Sequence, residues 1–177
     1  MNFNERDSFY EKLYFHELAA RDRLDDRFRT LLAIVALVFA VIAYQFNTIV
    51  GGEVNIPLLF WPVFAIAIAS FAAAIICYIK AWHSQHYQAF PLPSDIEAYS
   101  HQITHFYRDQ TDERTAKQWA DEAFELYMRN SFIEHASFNA RANDNKRFWL
   151  YYGNSFVISA FAFSVMGFLP ITENIFG

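Results

Sequence analysis

Three stretches of the chain, residues 30–52, 54–79 and 148–172, contain no Asp, Glu, Lys or Arg. They run for 23, 26 and 25 residues, each beyond the roughly 20 needed for a helix to cross a bilayer core. Leu, Ile, Val, Phe and Ala make up most of them, and these are the side chains that favour insertion into lipid. A chain of 177 residues is too short to wrap three helices that are apolar all round in a soluble shell. The pattern therefore predicts an all-α integral membrane protein with three transmembrane helices. The first segment follows 29 charge-rich residues and has no small-residue cleavage site behind it, so it reads as a retained span.

Between the spans the periodicity changes from uniformly apolar to amphipathic. Residues 1–29 predict an N-terminal helix that feeds the first span, with Tyr10, Leu13, Tyr14, Leu18, Leu24 and Phe28 on one face. Gly51, Gly52, Asn55 and Pro57 predict a short turn between the first two spans. Residues 80–147 predict a helical domain. Ser94 and Glu97 have the spacing of a capping box, which places a helix start at Asp95 and an end near Asp109. A second helix is expected from about 112–114, with no Pro or Gly before Gly153, so it can run into the third span. Residues 173–177 are left as a tail.

Charge orients this frame. All fourteen Lys and Arg residues lie within 1–29 or 80–147. The positive-inside rule then puts both regions in the cytoplasm, with the 47–57 loop and the C-terminus outside. In a bacterial cell this is a multi-pass inner-membrane protein with a periplasmic C-terminus. Trp61, Tyr78, Trp82, Trp149, Tyr151 and Tyr152 fall near the span ends, where aromatic rings favour the headgroup boundary. The net charge of −5 argues against a specific nucleic-acid partner, and the single Cys77 excludes an intrachain disulfide.

Candidate chemistry is sparse. No phosphate-binding loop, dinucleotide fingerprint or nucleophile elbow is present, and no cofactor or metal is expected. His101 and His105 stand one turn apart, a geometry zinc can use, but no cysteine or HExxH glutamate accompanies them. In the second span Ala65, Ala69 and Ala73 recur every four residues, and small residues at that spacing let helices approach closely in lipid, within one protomer or between subunits. Asn154, Ser155 and Ser159 are candidate pore-lining groups. Asn143, Asp144, Lys146 and Arg147 form a polar block just before the third span, on its cytoplasmic side, suited to anchoring or to a cytoplasmic vestibule.

Arg129-Asn130, separated by four residues from His135, resembles the Arg-Asn-x4-His motif of HEPN ribonucleases. That resemblance implies catalysis of RNA cleavage by Arg129 and His135. The run from Tyr10 to Leu18 ahead of the first span, the short outer loop and the Pro-bounded helical region resemble SLATT-type prokaryotic defence effectors. The arrangement is also similar to the HEPN-like membrane-pore accessory protein of type VI CRISPR systems. These resemblances imply a homo-oligomeric, pore-forming or depolarising effector of antiviral defence by abortive infection. Its partners would be the lipid bilayer, further copies of itself, and a cytoplasmic sensor protein or signal molecule. The alternatives are a membrane-tethered ribonuclease and a non-enzymatic anchor that recruits a soluble protein.

Overall fold

The computed structural model describes residues 3–51, 57–83 and 86–176, with side chains described from 5 to 168. The described residues form four helices and no strand: α1 (Phe3–Val50), α2 (Phe60–His83), α3 (Pro93–Arg108) and α4 (Glu113–Phe176). Three of them, α1, α2 and α4, are long and apolar enough to cross a membrane.

Local chemistry explains most of the ends. Neither Pro nor Gly interrupts α1 between residues 3 and 50, so 48 residues stay helical. The expected loop falls partly on residues 52–56, outside the described residues. After it, Phe60 N–H bonds the Pro57 carbonyl at 3.0 Å, and α2 starts there rather than at 54. Pro62 sits in the first turn, where a missing N–H breaks no helical bond. The capping box expected at Ser94 does not form. Pro93, whose fixed φ suits a first helical position, begins α3 behind Leu92, and no side chain caps it. The start of α4 is capped as its sequence suggests, with the Asp112 carboxylate accepting from the Thr115 N–H at 3.2 Å. Hydrogen bonds from the Thr115 side chain and backbone hold this carboxyl below its ordinary pKa. From Glu113, α4 continues without a break through residues 148–172 to Phe176.

The chain divides into two compact units, Met1–Arg21 with His86–Asn143, and Asp22–Gln85 with Asp144–Gly177. Residues 22–29, 80–85 and 144–147, which are charge-bearing, belong to the apolar unit.

In the apolar unit α1 and α4 run parallel and α2 runs against both. The parallel pair is recorded by Lys146 against Asp25 and Gln45 against Ser164. The reversed strand of the bundle is recorded by Tyr78 beside Gly153 and Phe60 beside Gly167. Buried or partly buried positions recur by four and three along each of these three helices. On α2 they are Phe60, Phe64, Ala67, Phe71, Ala74, Tyr78 and Ala81. On α1 they are Leu24, Phe28, Leu31, Val35, Val38, Ile42 and Gln45. On α4 they are Lys146, Leu150, Gly153, Val157, Ala160, Ser164 and Gly167. This 3.5-residue repeat is the left-handed coiled-coil geometry of helix packing. Ala and Gly recur in the seam, where small residues let helix backbones approach closely.

The other unit is a helical assembly of residues 3–21 of α1, α3 and the first half of α4. Tyr99 meets Tyr127 with centroids 4.2 Å apart, and Tyr107 meets Trp119 at 5.9 Å, so α3 and α4 form an antiparallel hairpin. A ring cluster fills its centre: Phe90 stacks on Phe132 at 4.4 Å and Tyr14 packs on both. Asn139, fully enclosed, grips the backbone of Gln88 twice. Its Oδ1 accepts from the Gln88 N–H at 2.9 Å and its Nδ2 donates to the Gln88 carbonyl at 3.1 Å. The segment 86–92 has no helical bonds of its own, so these contacts satisfy backbone groups that burial would otherwise strand.

Candidate functional site

The small-residue face of α2 splits into two. Ala67, Ala74 and Ala81 are 0% exposed and pack inside the bundle. Ala65 and Ala69 are exposed and Ala73 is half-buried, so the expected stripe lies on a different face from the seam. The physical reason is the period. Ala65 and Ala69 each stand two residues from Ala67, which at about 100° per residue puts them on the far side of the helix from the buried set. Reading the α2 sequence at a spacing of four and three, rather than four, would have found the buried set.

The candidate polar lining also separates. Ser159 is half-buried, with its hydroxyl 3.3 Å from that of Ser70 on α2, so it serves packing within the apolar unit. Ser155 is exposed and its hydroxyl bonds the Tyr151 carbonyl on its own helix at 3.0 Å. Asn154 is half-buried and lines a cavity between α1 and α4.

Of the polar block, Asn143 and Lys146 are fully enclosed and Asp144 and Arg147 are surface residues. Asn143 Nδ2 donates to the Glu17 carbonyl at 2.9 Å and its carboxylate at 2.8 Å, while Oδ1 accepts from the Tyr87 hydroxyl at 2.8 Å. Lys146, 0% exposed, is paired with Asp25. Every hydrogen-bonding group of the Asn143 side chain is engaged, and the Lys146 ammonium has its counter-ion, as enclosed polar groups require. Arg147 and Asp144 form an exposed pair at 3.0 Å. A vestibule reading therefore retains Asp144 and Arg147 as open groups.

Arg129 and His135 lie in the other unit. The Arg129 guanidinium is buried and makes a forked contact with Asp7, through Nε to Oδ1 and through a terminal nitrogen to Oδ2 at 3.3 Å. The Arg129 hydrogen bond holds the Asp7 carboxyl below the usual range, and the same bond raises the pKa of Arg129. His135 Nδ1 faces the Ser131 carbonyl of its own helix, and its ring lies 5.8 Å from that of Phe90. In this arrangement the arginine is occupied by a carboxylate and the histidine is packed into the aromatic cluster. A phosphodiester would have to displace Asp7 to use Arg129. On α3, His101 faces Glu97 and His105 faces Asp109, each at 3.4 Å on the exposed surface.

Sequence reasoning passed over Asp7 and Asp25, and it singled out Gln45 only as a polar residue of a span and Asn139 only as a member of the polar block before the third span. Gln45 is the one with a visible signal, an amide inside a charge-free span, where an unsatisfied polar group is costly. The other three depend on which helix faces which.

The chain was compared with protein-family models, curated proteins and solved structures, and it matches none of them.

Proposed function

We propose that this chain inserts into a membrane through α1, α2 and α4, self-associates through α2, and permeabilises or depolarises that membrane. The observation that carries the reading is the second small-residue face of α2. Ala65 and Ala69 remain exposed while the bundle's own packing uses Ala67, Ala74 and Ala81. In lipid, a small-xxx-small face left outside a protomer favours close approach of another helix. The charge asymmetry supports residues 80–147 and the N-terminus lying on the cytoplasmic side, where a sensor or signal could act on them. The antiviral setting is supported by the resemblance of the arrangement to defence effectors.

The test is mass measurement of the full chain in nanodiscs, paired with a potential-sensitive dye in expressing cells. The wild type is expected to form a discrete oligomer and to depolarise the cells. Ala65→Leu with Ala69→Leu is expected to abolish both while helix content stays unchanged, because bulk there blocks helix approach without entering the bundle seam. A wild-type monomer that never depolarises cells would sink the reading.

A further inference from the structure

We infer that the groove between α1 and α4 at the start of the charge-free segments binds one anionic phospholipid, with its phosphate at Arg27 and Arg147. The inference rests on the membrane reading above, and not on self-association or a pore. The groove is a cavity of about 650 Å³ within the apolar unit, inside the size range of small-molecule sites. Leu24, Leu31 and Leu150, all from the bundle seam, supply apolar wall.

Two guanidiniums share this cavity for a sequence reason. α1 and α4 are parallel here, so their charged-to-apolar borders fall at the same end. Arg27 lies three residues before the charge-free segment that begins at 30, and Arg147 directly precedes the one that begins at 148. Both belong at the headgroup level of the inner leaflet, where cationic pockets between spans select anionic lipids.

The carboxylates nearby do not cancel them. Asp26, which also lines the groove, faces Arg29 at 3.7 Å. Asp144 holds one nitrogen of Arg147 and leaves its other N–H donors available on a half-exposed side chain. Arg27 makes no hydrogen bond or ion pair among the described residues, and Arg23 stands exposed one turn before it. Among the residues that line the groove, Arg27 and Arg147 thus outnumber Asp26.

Deeper in the groove, Asn154 is half-buried and its amide has no partner among the described residues. It lies one turn beyond Leu150, inside a charge-free segment, where an unpaired amide is unfavourable without a ligand. Its two N–H donors suit the ester carbonyls that follow a phosphate in a glycerolipid. The Thr30 hydroxyl is already bonded to the Asp26 carbonyl at 3.1 Å. Tyr151, 70% exposed, completes the rim with an interfacial ring. A free phosphate or nucleotide would leave the leucine wall without a counterpart, so the apolar half of the site favours a lipid.

The test is native mass spectrometry of the full chain in mild detergent, titrated with phosphatidylglycerol and phosphatidylcholine of identical acyl chains. Phosphatidylglycerol is expected to be retained at a roughly tenfold lower concentration, as two guanidiniums at a headgroup predict. Arg27→Gln with Arg147→Gln is expected to bring the two lipids to parity; if that variant aggregates, Arg27→Gln alone, at an exposed position, should narrow the gap. Asn154→Leu is expected to weaken both lipids by a similar factor, because both carry ester carbonyls. Soluble glycerol phosphate in excess is expected to displace nothing. Equal retention by the wild type, an unchanged preference in the arginine variants, or displacement by glycerol phosphate would overturn the inference. Alkaline extraction of membranes separates it from its premise. A chain retained in the membrane without lipid preference sinks the lipid site alone, and a chain washed off sinks both.

Discussion

The side-chain amide of Gln45 on α1 donates a 2.6 Å hydrogen bond to the backbone carbonyl of Ser164 on α4, at a point where both side chains are fully enclosed. Gln45 Oε1 and the Ser164 hydroxyl have no hydrogen-bond partner among the described residues. Gly167 makes room for the contact, since a Cβ there would lie 3.2 Å from Gln45 Nε2. A polar group at a seam position costs some stability and selects one register over its neighbours, as a buried Asn does in coiled coils.

Gln45→Leu should therefore change stability little, by about 1 kcal/mol or less, because interhelical hydrogen bonds in membranes are weak. Gln45→Ala should lose about 2 kcal/mol or more, since it adds a cavity to the lost bond. Thermal unfolding in detergent measures both. Disulfide trapping across α1 and α4 should show alternative registers in the Leu variant only if Gln45 selects the register.

Gly153 is needed for its missing side chain. A Cβ at 153 would sit 2.9 Å from Cε1 and 3.1 Å from Cδ1 of Tyr78. The Tyr78 ring is enclosed and lies edge-on to Phe28 at 6.0 Å, so a shift of the ring disturbs that packing. Gly153→Ala gains up to about 1 kcal/mol in helix propensity, but overpacking of about 1–3 kcal/mol outweighs it. A lower unfolding midpoint is the expected result, with partial recovery when Tyr78→Leu is added. An unchanged midpoint would contradict the packing described.

The Asp7–Arg129 fork makes stability depend on acid pH. The Arg129 hydrogen bond lowers the folded pKa of Asp7 below its unfolded value. The contribution is thus fully present at neutral pH and disappears as pH falls through the folded pKa, below about pH 4. Asp7→Asn should flatten this acid limb while lowering stability at pH 7. Unfolding midpoints measured from pH 7 down to about pH 3 decide it: parallel profiles for wild type and Asp7→Asn would refute the assignment.

Lys146 and Asp25 form a pair in which the lysine is wholly enclosed and the aspartate partly open. Lys146→Met removes the cation and leaves a carboxylate facing an apolar seam, which should lower stability by about 3 kcal/mol. Adding Asp25→Asn should restore much of that loss, because the uncompensated charge goes with it. A double variant as unstable as the single one would show that Lys146 acts through packing of its stem instead.

Much of the fold was legible from the chain alone. The absence of helix breakers between 3 and 50 and between 113 and 153 is a local property, so α1 and the first part of α4 were readable as continuous helices. Ser94 misled because a capping box and a proline one residue earlier compete for the same start, and Pro93 wins by fixing its own φ. The site was less legible. Ala65, Ala69 and Ala73 are as small as Ala67, Ala74 and Ala81, and only the direction of α1 and α4 decides which set is enclosed.

The order of residues by itself determined the three charge-free segments, because whether a run is apolar and long enough to span a bilayer depends on each residue and not on its neighbours in space. The charge asymmetry followed in the same way, since it is a count along the chain. Tertiary structure alone decided that α1 and α4 run side by side. That choice joined Asp7 to Arg129, Glu17 to Asn143, Asp25 to Lys146 and Gln45 to Ser164, pairs more than a hundred residues apart. No local rule selects such pairs, because a hydrogen bond depends on a few ångströms of separation that only the packed helices set.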